Sequence, residues 1–162
     1  MASGGLPLVL RLVPLISSTA SLWYAWDQYE QITLFRKPES RVPANQILPH
    51  YFVSFFNRGL PRVIGLLAIT ASSCGAVLRY GPAAHLSDTG AYPWYIAGML
   101  FAIAHVAWGP FVLVPVRAIG NDAREKNIVH LEDWLRLHVW RSLTVDIGAW
   151  ICCLVATVKL LS

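Results

Sequence analysis

"PWYIAGMLFAIAHVAWGPFVLVPV", residues 93–116, decides the fold. Of the Asp, Glu, Lys, Arg and His residue types, a single one, His105, interrupts it. An α-helix crosses ~30 Å of hydrocarbon with about 20 apolar residues, and this run is long enough. A soluble helix of that length would show polar residues at helical spacing on an outer face. Here there are almost none. Three more apolar runs share the chain, over residues 6–26, 60–78 and 139–161. Together they explain why 56% of the residues are hydrophobic and only 14% charged, against about 25% charged in soluble domains. The expectation is one all-α domain over residues 1–162, an integral membrane four-helix bundle.

The first run reads as a span and not a signal peptide. No basic residue precedes its core, and Arg11 lies inside it. Charge then orients the bundle. The first connection carries Arg36, Lys37, Arg41 and Arg58, and the third carries Arg117, Arg124, Lys126 and Arg136. The second has only Arg79 at its edge. The positive-inside bias places the 27–59 and 117–136 loops in the cytosol and both termini in the lumen, with an endomembrane such as the endoplasmic reticulum expected. This asymmetry accounts for the net charge of +4 without nucleic acid as a partner. A homo-oligomer is compatible with the composition.

Cys74, Cys152 and Cys153 lack the spacing of a redox motif or a zinc site. The phosphate-binding and hydrolase motifs are also missing. No metal site is expected.

The first connection divides in two. "RKPESRVP" (36–43) reads as a solvated loop. "NQILPHYFVSFFNRG" (45–59) is aromatic and amphipathic, and predicts a short interfacial helix after Pro49, lying over the cytosolic mouth. Residues 49–57 would cover the bundle, or gate it for an oily substrate.

Function concentrates in "EDWLRLHVWRSLTVDIGAW", residues 132–150. Trp134, His138 and Arg141 stand at i, i+4 and i+7, within roughly 60° of one another on a helix. Val145, Gly148 and Cys152 continue that face, and small residues there allow close helix contact or room for a ligand. At regular helical spacing Asp146 falls on another flank, so it is expected to find its partner on a different helix and not in Arg141. His105, near Trp108, falls close to the middle of its span. An ionisable residue inside a membrane costs on the order of 3 kcal/mol on insertion scales and is a functional candidate by default. The bland alternative has Arg141 snorkelling, Asp146 paired with Arg62, and His105 a hydrogen-bonded core residue.

The pattern W-x3-H-x2-R-S-x3-D in Trp134, His138, Arg141, Ser142 and Asp146 resembles the last helix of the anthrone-oxygenase-like family. These are small four-span proteins of fungal polyketide pathways, and the long first loop is similar too. The resemblance implies cofactor-free oxidation of an electron-rich aromatic, such as an anthrone, to a quinone, with O₂ as co-substrate. Removing a proton gives a carbanion-phenolate that reacts with O₂ without a metal. His138 would be the base, with His105 in reserve. Arg141 would face the developing oxyanion and Asp146 would orient either group. Trp134 and Trp108 would wall a planar substrate, and Trp23, Tyr24, Asn57 and Arg62 complete the expected binding set. The partner is a hydrophobic small molecule drawn from the bilayer.

Three other classes fit the same residues. One is a redox-neutral cyclase or isomerase using the acid–base pair alone. Another is a haem protein ligated through His105 and His138. The last is a non-catalytic scaffold whose polar cluster only packs.

Overall fold

The computed structural model describes residues 7–121 and 126–162. Leu6, the first residue of the expected first span, and Arg124 of the third connection lie outside the described residues. The chain forms α1 (Leu8–Thr33), α2 (Arg41–Tyr80), the short α3 (Ala83–Asp88), α4 (Tyr92–Ala104), α5 (Gly109–Gly120), α6 (Asn127–Arg141) and α7 (Ile147–Leu161). Four continuous helical segments are long and apolar enough to cross a membrane: Leu8–Arg36, Pro38–Tyr80, Tyr92–Gly120 and Asn127–Leu161. They pack as a closed ring in which α1 contacts α2 and α7, and α4 contacts α2 and α7. Their outer faces are apolar as well: Val9, Phe111, Val114, Leu143 and Val158 are all exposed. That suits a hydrocarbon solvent, in which such side chains lose nothing by facing outward.

Two of the four segments are interrupted, and each interruption has a local cause or consequence. Between α4 and α5 the chain tightens into a 3₁₀ turn over His105–Trp108. Pro110 has no N–H to donate to the carbonyl of Val106, so the regular ladder stops there and restarts with α5. Between α6 and α7 the chain widens into a π turn over Ser142–Asp146. Such turns take i→i+5 hydrogen bonds and shift the following residues around the axis.

The segment expected to be a separate interfacial helix is helical but not separate. Residues 41–80 form one helix with Pro49 and Pro61 inside it. Pro49 cannot donate to the carbonyl of Asn45, which would normally break the helix. Asn127 of α6 repairs this by donating from Nδ2 to that carbonyl at 2.9 Å, while Asn45 Oδ1 accepts from the Ile128 N–H at 2.9 Å. The Asn45 side chain therefore caps the start of α6 as α6 satisfies the kink in α2. This reciprocal pair holds the first half of α2 against α6.

Two apolar cores result. One, containing Ile32, Leu48, Phe52, Ile119, Leu131 and Trp134, fills the end nearest the α1–α2 and α5–α6 connections. The other, around Cys74, Val77, Tyr95, Cys153 and Leu160, fills the opposite end. Close approach in the second half depends on small residues: a Cβ on Gly148 would stand 3.0 Å from the Phe101 ring, and one on Gly98 3.0 Å from Cys153 Sγ. Cys74 and Cys153 are free thiols with sulfurs 3.9 Å apart. A polar layer separates the cores.

Candidate functional site

That polar layer is built on the two interruptions. His105 opens the 3₁₀ turn and Asp146 closes the π turn, and His105 Nδ1 stands 2.6 Å from Asp146 Oδ1. A carboxylate at that distance accepts the Nδ1–H, which fixes the imidazole tautomer and leaves the lone pair on Nε2. The second carboxylate oxygen, Oδ2, lies 3.7 Å from Arg141 Nε. The expectation that Arg141 and Asp146 would not pair is therefore corrected. They are five residues apart, about 140° around a regular helix, but the intervening π turn brings them to one side. The partner on another helix exists too, and it is His105. Arg62 is not involved: it is exposed and donates from Nη1 to the Arg58 carbonyl at 3.1 Å.

Arg141 continues the chain of contacts by donating from Nη2 to His138 Nδ1 at 2.9 Å. His138 Nε2–H in turn donates to the Ala25 carbonyl of α1 at 2.8 Å. Both imidazole nitrogens of His138 are thus occupied within the protein. In this arrangement His138 offers neither a lone pair to a substrate nor a nitrogen to a haem iron. Its ring also stacks on Trp134, with centroids 4.8 Å apart and planes at 20°. Phe52 meets Trp134 edge-on at 5.2 Å. His105, His138, Arg141 and Asp146 are all buried, so the network joins α1, the third segment and the fourth inside a medium of low dielectric.

A cavity of about 170 Å³ lies against this network. His105, Trp108, Trp134 and Arg141 line it, together with Phe56 and Gln28. Leu60, Ile64 and Val106 also reach it and are themselves exposed, so it opens sideways between α2 and the third segment. Two buried donors, Trp134 Nε1 and Arg141 Nε, have no hydrogen-bond partner among the described residues. Both belong to residues of the cavity wall. The cavity is apolar, with a cation and an imidazole at one side.

The residues expected to form the site are divided by the structure. His105, Arg141, Trp108 and Trp134 reach the cavity, and Asp146 reaches it through His105. His138 faces a second, wider groove with Ala25, Trp26 and Ser142. Trp23 is 71% exposed and lies outside the cavity, because it falls about 140° around α1 from Gln28. Tyr24 is half-buried one turn from Gln28. Asn57 is exposed, and Arg62 lies roughly 200° around α2 from Leu60. Gln28 was not anticipated. The only signal for it was a polar residue one turn beyond Tyr24, at the end of an apolar run.

Neither a protein-family profile nor a solved structure matches the chain. Curated relatives do. The probable epoxidase scpX of Mollisia scopiformis is 33% identical over 157 residues, covering 94% of this chain and 96% of the relative. Epoxidase pydX of an Acremonium species is 33% identical over 158 residues, with 96% and 97% covered. Epoxidase gkaX of Penicillium citrinum is 30% identical over 161 residues, with 93% and 94% covered. The chain belongs to this family of fungal epoxidases. The family is thus fungal, as the resemblance implied, but these relatives bear the name epoxidase and not anthrone oxygenase. Because the matches run nearly end to end, the whole bundle, both interruptions included, falls within the family's length.

Proposed function

We propose that this chain is a membrane-embedded epoxidase of fungal secondary metabolism, transferring one oxygen atom to a carbon–carbon double bond of a hydrophobic polyketide- or terpenoid-type intermediate. The observation that carries the reading is the His105–Asp146 pair beside Arg141 in a cavity open to the side of the bundle, in a chain whose relatives are epoxidases. An apolar substrate partitions into the bilayer and reaches the cavity between α2 and the third segment. Trp108 and Trp134 hold it by their flat faces.

His105 takes the role of base that His138 was expected to have. Asp146 holds the Nδ1–H, so Nε2 accepts a proton from the substrate, and the imidazolium that forms stays paired with the carboxylate. Arg141 stabilises the oxyanion that deprotonation exposes. His138 becomes a positioning residue, fixing the guanidinium by accepting from Nη2. In the cofactor-free form of the reaction, O₂ is the co-substrate and the organic substrate supplies all the electrons. A 1,4-dihydroxy arene has the right count: it loses two hydrogens, gains one oxygen as the epoxide, and the other oxygen leaves as water. The carbanion-phenolate expected for an anthrone is the same kind of intermediate, so base and cation serve both chemistries. The loops of residues 27–59 and 117–136 face the cytosol in this proposal, with the protein in the endoplasmic reticulum or a related membrane.

The test is to express the chain in yeast microsomes and supply hydrophobic hydroxy-arenes and polyenes under ¹⁸O₂. An epoxide carrying one ¹⁸O atom, dependent on the chain, is the expected result. Turnover that continues without O₂ and yields an isomer of the substrate would instead identify a cyclase or isomerase.

A further inference from the structure

The cavity holds one polar side chain that the proton-transfer scheme does not use. Gln28 of α1 is only 6% exposed, yet it lines the same cavity as His105 and Arg141. Its side-chain amide makes no hydrogen bond to another described residue. An amide carries two donors and an acceptor, and beside an apolar cavity these are open to a polar group on a ligand. The neighbouring helix is shaped around it. A Cβ placed on Gly59 of α2 would stand 3.0 Å from Gln28 Nε2 and 3.3 Å from Tyr24 Oη. Glycine at this position leaves the amide room to lie where it does.

We infer that Gln28 is a specificity-determining residue that binds a carbonyl or hydroxyl oxygen of an otherwise apolar ligand. The inference rests on the cavity being the substrate site, and it deepens that reading by naming a feature of the substrate. An all-hydrocarbon ligand leaves the amide unpaired, and sites built to hydrogen-bond a polar group reject analogues that lack it.

The experiment uses the full chain in lipid nanodiscs and two probes of one shape, 2-acetylnaphthalene and 2-isopropylnaphthalene, titrated by calorimetry. The wild type is expected to prefer the ketone by about three- to tenfold, the usual net yield of one neutral hydrogen bond. Gln28→Leu should abolish the preference without weakening the hydrocarbon. Gly59→Ala, which keeps the glutamine but crowds it, should reduce the preference, and covers the case in which Gln28→Leu fails to fold. Equal binding of the probes by the wild type, binding of neither, or a ketone preference retained in both variants overturns the inference. None of these readouts needs turnover. A His105→Ala variant with full oxygenation would sink the catalytic reading and leave the probe preference standing.

Discussion

His105 and Asp146 are 2.6 Å apart, and each sits on the irregular turn of its own membrane-length segment. A 3₁₀ turn and a π turn are each less favourable than continued α-helix, and in mid-helix both are frequent at functional sites. Here they meet. The tightened turn delivers an imidazole, the widened turn delivers a carboxylate and its neighbouring guanidinium, and the contact between them joins two neighbouring segments of the bundle.

Removing the carboxylate should cost stability as well as activity. Asp146→Asn leaves Arg141 buried with no counter-charge, and breaking one side of a buried pair typically costs about 3–5 kcal/mol. The expected outcome is a lower midpoint in detergent thermal unfolding together with reduced turnover per folded molecule. An unfolding midpoint unchanged from wild type would show that the pair contributes nothing to the fold.

Arg141→Lys should separate charge from geometry. Lysine keeps the cation but lacks the planar fork that contacts His138 and Asp146 from different nitrogens. Normal accumulation in membranes with strongly reduced turnover is expected, as measured by product per quantity of immunodetected protein. Full turnover would mean that a point charge suffices.

His138 should tolerate replacement better than His105. In His138→Gln the amide oxygen can still accept from Arg141, so the guanidinium keeps a partner. Turnover within about tenfold of wild type is expected, well short of the roughly 10²–10⁴ lost with a general base. A loss as large as that of the His105 variant would return the role of base to His138.

The four long apolar helices were legible in the sequence because length and unbroken apolarity are read directly from the residues. Legible too was the grouping of Trp134, His138 and Arg141, since α6 is regular up to Arg141. Asp146 was misplaced relative to Arg141 because an ideal helical wheel was carried through residues 142–146, where the chain is not α-helical. That His105 lies inside the third apolar segment was legible, but its partner depended on which faces of two helices meet, and periodicity says nothing of that. The first half of α2 was misread as a separate helix because Pro49 breaks an isolated helix; the repair by Asn127 comes from a part of the chain 82 residues away.

That repair predicts its own phenotype. Asn127→Ala removes the donor to the part-buried Asn45 carbonyl, a loss of about 1 kcal/mol. Lower thermal stability is expected, with proteolysis increased first around residues 41–50. Stability equal to wild type would show that water or a shift of α2 satisfies the carbonyl equally well.

The most direct measurement of the central claim is turnover by His105→Ala, normalised to folded protein in the same membranes. Among the described residues His105 bears the only imidazole lining the cavity, and alanine leaves the segment at least as hydrophobic, so insertion should be normal. The account predicts normal accumulation and a loss of about 10²–10⁴ in rate. Wild-type turnover by a normally accumulated His105→Ala protein would contradict it.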